Sequence, residues 1–192
     1  MKQIILASQS PRRKQLLEWA EVKFDTFVQQ VDETFPIGLP VTDIPVYIAN
    51  QKANAAQSAL TDDCIVVAAD TLVILGKQII GKPPDRASAI GFLSELSGRK
   101  HQVTTGVVIA GKQKRVSFSV TTEVWFHTLT AEQISFYVDK YQPFDKAGGY
   151  AIQEWIGVVG IEKISGDFYN VMGLPISRVV TELRKMEGND PY

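Results

Sequence analysis

A chain of 192 residues, 45% hydrophobic and 21% charged, is long enough for one sizeable core and short for two. With 20 basic residues against 21 acidic ones the formal charge is −1, so no domain-wide basic field exists to hold a nucleic-acid backbone, although a few local cations suffice for a small anion. The apolar runs fall far below the roughly 20 residues of a membrane-spanning helix, and the single cysteine, Cys64, excludes an internal disulfide and fits a reducing compartment.

Residues 2–7 read as a first, central strand, too short in its apolar stretch to be a secretion signal. Ser10 and Pro11 start a helix as N-cap and first helical residue, continued by Leu16, Leu17 and Ala20. Residues 24–28 suggest a second strand, and the loop over 29–42 carries Asp32 and Glu33. The clearest amphipathic helix runs over 44–60, where Val46, Ile48, Ala49, Ala53 and Ala56 recur at helical intervals. Residues 64–75 are β-branched and nearly continuous, as in a strand buried on both faces, with Cys64 a small buried hydrophobe at its start. Gly76-Lys77 turns this strand into a hairpin partner over 78–80.

A helix over 85–96 stops at Ser97-Gly98. Strands over 101–110 and 115–126 are joined at Gly111-Lys112, and Val116, Phe118 and Val120 alternate with Ser117, Ser119 and Thr121. Thr130 and Gln133 match a capping box that opens a helix to about residue 140. Residues 156–164 read as another strand, 175–186 as a final helix, and 188–192 as a loose tail. Without repeats or low-complexity linkers, the expectation is one α/β domain over 1–192 with a mixed sheet.

Several residues run against their local rules. Arg12 and Arg13 place two cations at the positive end of a helix dipole, a conflict relieved if an anion docks there or if both side chains reach away into solvent. Asp70 interrupts a buried β-branched run, which is costly unless it ligates a metal or pairs with a buried lysine or arginine. Gly76 to Lys82 spells most of a phosphate-binding P-loop, but Pro83 stands where that loop needs a hydroxyl, so the match is a decoy. Lys82 remains a phosphate-ligand candidate brought back beside Asp70 by the turn. Lys52, a lone helical lysine, reads by itself as solvated. In Lys146-Ala147-Gly148-Gly149-Tyr150-Ala151-Ile152-Gln153, the glycines would let the backbone approach a ligand, and the Gln153 amide suits reading a base edge. His101 and His127 are too few for a histidine-built metal site, so any metal would be hard, Mg²⁺ or Mn²⁺ on carboxylates.

Together, Leu6-Ala7-Ser8-Gln9-Ser10-Pro11-Arg12-Arg13, Ala68-Ala69-Asp70-Thr71, Gly81-Lys82-Pro83, Lys146-Ala147-Gly148 with Ile152-Gln153, and Gly166-Asp167-Phe168-Tyr169-Asn170-Val171-Met172-Gly173-Leu174-Pro175 resemble the Maf family. These are nucleotide pyrophosphatases first named as septum-formation inhibitors. The resemblance implies a fold like that of inosine triphosphate pyrophosphatases: an elongated mixed sheet flanked by helices, with a cleft between two lobes. It implies that Ser8, Arg12, Arg13, Lys52 and Lys82 line a phosphate pocket. Asp70 would act as proton acceptor or metal ligand, Glu33 would lie near the metal, and Arg13, Thr71 and Gln153 would bear on base choice. Thr71, Gln153 and the Tyr-Asn-Val-Met-Gly-Leu-Pro ending are similar to the subgroup that hydrolyses dTTP and UTP. Gly149 stands where alanine is commoner.

The implied activity is metal-dependent release of pyrophosphate from dTTP, UTP or modified pyrimidine nucleotides, a housecleaning role in the cytoplasm. The implied partner is the nucleoside triphosphate, with no nucleic acid and no membrane; a homodimer is left open. Two other readings stand beside it. One is a non-catalytic regulator of cell division that senses nucleotide or binds a partner, against which the intact set Arg12, Arg13, Asp70 and Lys82 speaks. The other is a pyrophosphatase for a modified purine such as 7-methyl-GTP, separated by the base-reading positions.

Overall fold

The computed structural model describes residues 2–60 and 63–188. In chain order the elements begin β1 (Gln3–Leu6), α1 (Pro11–Trp19), β2 (Asp25–Thr26), α2 (Ile44–Ala59), β3 (Cys64–Leu75) and β4 (Gln78–Ile80). They continue α3 (Arg86–Leu96), β5 (Lys100–Ala110), β6 (Arg115–Phe126), α4 (Ala131–Tyr141) and a 3₁₀ turn over Ala147–Gly149. The last are α5 (Trp155–Gly160), β7 (Ile161–Ser165), α6 (Phe168–Met172) and α7 (Ile176–Met186). The seven strands form one mixed sheet in the order β2-β1-β3-β5-β6-β7, with β4 paired to β3, and helices flank it. None of the described helices is long and apolar enough to cross a membrane. The tail expected to be loose lies, from residue 189 on, outside the described residues.

The chain falls into two compact units. The first takes in residues up to Asp70, Thr105–Val120, and the chain from Gly173. Here β1 pairs in parallel with both β2 and β3, with Leu6 opposite Thr26 on one side and Val67 on the other. β1 therefore sits inside the sheet but one strand from its end, not at its centre as expected. β2 is confined to Asp25–Thr26, opposite Ile5 and Leu6, instead of spanning 24–28. Past it, the Phe27 N–H donates to Leu6 O at 3.1 Å, while the Ala7 N–H faces β3 and donates to Val67 O at 2.8 Å. α2 lays Ala49, Ala53 and Ala56 against Ile5, Val66, Ala68 and Val108. These side chains are small, so the helix lies close. Its first turn comes so near β5 that a Cβ on Gly106 would stand 2.2 Å from Val46 N and 2.3 Å from Pro45 C.

The second unit comprises Thr71–Thr104 and Thr121–Met172. β4 folds back on β3 in the register Val73↔Ile80, through a turn whose Gly76 has φ +64°. α3 is capped by Asp85, which accepts from Ser88 N–H at 2.8 Å. α4 opens with both hydrogen bonds of the Thr130–Gln133 capping box. The strand expected over 156–164 is half helix: α5 takes 155–160 and only Ile161–Ser165 is extended. The cause is the partner's length. β6 ends at Phe126, opposite Ile161, so no strand edge lies beside residues 156–160.

This unit's core surrounds His101, 1% exposed, whose Nε2 lies 2.7 Å from the Tyr150 hydroxyl and whose ring packs edge-on to Phe126 and Tyr150. Burial pushes the imidazole down to about 4 and pushes the Tyr150 phenol up. The unfolded chain takes up a proton near 6.5, the folded chain only near 4, so the stabilising effect is complete above pH 6.5 and is lost as the pH falls towards 4. Acidification through this window should cost up to roughly 3 kcal/mol. Urea midpoints at pH 7 and pH 4.5 should therefore separate more for the wild type than for His101→Gln. Equal separation would rule the histidine out as the cause.

Candidate active site

The first unit gathers six of the expected residues, Ser8, Arg12, Arg13, Glu33, Lys52 and Asp70, beyond the end of β1 and beside the middle of β3. Parallel pairing brings these two places together: the chain leaves β1 towards Ser8 as β3 runs on to Asp70. Ser10 caps α1, its Oγ accepting from Arg13 N–H, while Ser8 Oγ accepts from Ser10 N–H at 3.2 Å. The Arg13 side chain, 8% exposed, turns inward. Its Nη1 donates to Ser8 Oγ at 3.1 Å and to Ala69 O at 2.8 Å, and its Nε donates to Gly173 O at 2.8 Å. Burial draws the guanidinium below its ordinary value, Asp70 and Glu33 oppose that, and Arg12 adds to it. The two arginines thus differ. Arg13 is buried and anchored to backbone carbonyls, whereas Arg12 is half-buried in the same helical turn.

Lys52 is not the solvated helical lysine that its immediate neighbours suggest. Its Nζ stands 2.7 Å from Asp70 Oδ1 and 2.7 Å from Glu33 Oε1, with the side chain only 16% exposed. The signal was present: Lys52 follows Ile48 by four residues and precedes Ala56 by four, which puts it on the buried face of α2. Asp70 is therefore paired with a lysine, the arrangement its position in a buried strand demands.

Two carboxylates converging on one ammonium bear on metal binding. Among the described residues no group of three or more His, Cys, Asp or Glu is placed to hold a metal ion. Glu33 and Asp70 nevertheless form a hard oxygen pair around a cationic centre, with Lys52 standing in for a cation. Magnesium commonly takes one or two protein carboxylates and completes its shell with water and substrate phosphates. The pair fits such an ion.

Thr71, Lys82 and Gln153 belong to the second unit. Thr71 is half-buried on β3, while Lys82 and Gln153 are exposed. The β3–β4 register, carried two residues beyond Ile80, sets Lys82 level with Thr71. Gly148 N–H donates to Gly81 O at 2.9 Å, fastening the 3₁₀ turn beside Lys82. The close approach expected of the glycines is made to protein: a Cβ on Gly148 would lie 2.9 Å from Val73 Cγ2. Gly149 adopts φ +69°, so an alanine there would be strained. The near P-loop is a hairpin followed by an irregular segment, and α3 starts only at Arg86.

With this geometry in place the family is clear. The model of the family described as Maf-like protein matches residues 3–186, and the chain belongs to that family. It is 47% identical to a dTTP/UTP pyrophosphatase of Parabacteroides distasonis over 94% of each chain. It is 46% identical to a dTTP/UTP pyrophosphatase of Bacteroides thetaiotaomicron over 96% of each. A protein of the same name from Cytophaga hutchinsonii is 47% identical over 95% of this chain and 84% of its own. Among solved structures, the Ham1 protein of Staphylococcus aureus is similar at a TM-score of 0.45 and 17% identity, over 65% of this chain and 72% of that one.

Arg13→Ala would leave Ala69 O and Gly173 O without the donors they now have, in a buried position. The expected loss is about 2–4 kcal/mol of stability, read from urea unfolding. Arg13→Lys should recover only part of it, because an ammonium cannot reproduce the planar fork. An unchanged midpoint for Arg13→Ala would show that these bonds do not hold the site together.

Proposed function

We propose that this chain hydrolyses nucleoside triphosphates to the monophosphate and pyrophosphate, with dTTP and UTP preferred over the standard purine nucleotides. The observation that carries the reading is the partly buried Lys52 ammonium between Asp70 and Glu33, in a member of the Maf family whose relatives bear that activity in their names. The single cysteine fits a reducing compartment such as the cytoplasm, where the activity would serve a housecleaning role.

Ser8, Arg12, Arg13, Lys52 and Lys82 bind and orient the triphosphate oxygens, and the cations meet the charge that builds up as the reaction proceeds. Glu33 and Asp70 are the residues that would hold Mg²⁺ or Mn²⁺. Such an ion, when bound, supplies charge neutralisation and acidifies water. Asp70 takes the proton of the attacking water at a carboxylate oxygen. The new bond from the water oxygen to the α-phosphorus forms as the bond to the α–β bridging oxygen breaks, and pyrophosphate leaves with that electron pair. Gln153 reads the base. Thymine and uracil present an N3–H between two carbonyls, an edge that an amide meets with one acceptor and one donor. Cytosine lacks the N3–H and would leave the Gln153 acceptor unsatisfied once the base covers it, at about 1–3 kcal/mol.

Products from α-labelled and γ-labelled UTP distinguish the reaction classes. Labelled monophosphate and pyrophosphate are expected, and both should vanish in excess chelator. Release of single orthophosphate, or full turnover without divalent metal, contradicts the proposal. Asp70→Asn should lower kcat by roughly 100-fold or more with little effect on KM. A fully active variant would remove Asp70 from the chemistry. Gln153→Ala should narrow the gap between UTP and CTP more than the gap between UTP and dTTP, measured as kcat/KM. Preference of the wild type for GTP, ATP or 7-methyl-GTP would overturn the base assignment and leave the pyrophosphatase assignment standing.

A further inference from the structure

Gln153 sits at the corner of a tight turn whose two ends are held by one buried phenol. The Glu154 N–H donates to Ala151 O at 3.1 Å, closing a β-turn over 151–154 with Ile152 and Gln153 at its centre. Ile152 points inward at 5% exposure, while Gln153 is exposed. Tyr137 of α4, 0% exposed, reaches both ends of this turn. Its hydroxyl accepts from Ala151 N–H at 3.1 Å and donates to the Glu154 carboxylate. Lys146, with its side chain 10% exposed, stands 3.5 Å from the other oxygen of that carboxylate and 2.8 Å from Asp145. From the far side, the first turn of α5 closes on the same segment: a Cβ on Gly157 would lie 1.7 Å from Ile152 O.

We propose that Tyr137 is a positioning residue for base selection, fixing Gln153 through the 151–154 turn, with Glu154 and Lys146 completing the clamp. The inference rests on Gln153 reading the base, as set out above. A hydroxyl that spends its acceptor on one end of a four-residue turn and its donor on the other removes the freedom of the corner between them. A fixed amide discriminates two base edges better than one that can swing away, because its donor and acceptor cannot turn to suit the wrong edge. Tyr137 touches neither substrate nor reacting atoms in this scheme.

The test is a thermodynamic cycle on kcat/KM for UTP and CTP, using wild type, Gln153→Ala, Tyr137→Phe and the double variant, with thermal melts to establish folding. Tyr137→Phe should raise KM for UTP, leave kcat nearly unchanged and lower the UTP/CTP ratio by roughly 3–10-fold. In the Gln153→Ala background the same substitution should not change the ratio further. Lys146→Met should act in the same direction, and Lys146→Arg should restore most of the ratio. If Tyr137→Phe does not fold, Glu154→Ala takes away the phenol's acceptor and so releases one end of the turn, and carries the same comparison. A folded Tyr137→Phe with an unchanged ratio, or an equal drop with and without Gln153, overturns the proposal while leaving the base-reading role intact. If Gln153→Ala alone leaves the ratio unchanged, the base-reading role has failed, and the positioning role with it.

Discussion

A lysine ammonium withdrawn from water gives up several kcal/mol of hydration, and at Lys52 the return comes from two carboxylates at 2.7 Å. Much of the first unit can be understood as the means of bringing those three groups together. α2 must lie close to the sheet for a side chain of that length to reach Asp70, hence the alanines along its inner face and the bare Gly106 under its first turn. β3 must run parallel to β1 so that Asp70 and Ser8 both lie past the end of β1. Arg13 then locks that end by holding Ala69 O and Gly173 O on one guanidinium. Around Asp70 stand Lys52 and Arg13, with Glu33 on the far side of the Lys52 ammonium and Arg12 beside Arg13. Removing Lys52 is more damaging than never having built the set, because the Asp70 carboxylate left behind stays buried.

The parts legible from the sequence are those where local chemistry decides. Ser10-Pro11, Asp85 and the Thr130–Gln133 pair mark helix starts because a side-chain oxygen must meet bare N–H groups within three residues. β3 is recognisable residue for residue because a doubly buried strand has few alternatives to β-branched and small side chains. Asp70 stands out for the same reason, as the one acid inside that run.

What escaped was decided by partners distant in sequence. The β-branched run over 156–164 has strand propensity throughout, yet only the half that meets β6 is extended, and where β6 stops is not written in the run itself. The polar neighbours of Lys52 mark a solvated stretch, whereas its four-residue spacing from Ile48 and Ala56 places it on the inner face of α2. Gly148 and Gly149 suggested room for a ligand, but glycine serves equally where protein backbone meets a strand, as at Val73. The clamp by Tyr137 joins residues 14 and 17 positions apart, beyond the reach of any short motif.

Cys64 opens β3 six residues before Asp70, buried and paired across from Gln3 of β1. Since it is the chain's single thiol, the wild-type protein carries a built-in reporter at a defined place in its sheet. An alkylating reagent reaches a sulfur packed among Ala53 and Ala56 of α2 only during excursions that open that packing, so the rate of modification counts those excursions. Whatever tightens the surroundings of Asp70, six residues along the same strand, should slow the chemistry at Cys64. The molecule thus allows occupancy of its anionic and cationic cluster to be followed from the start of the same strand, with no label introduced and no residue of the cluster altered.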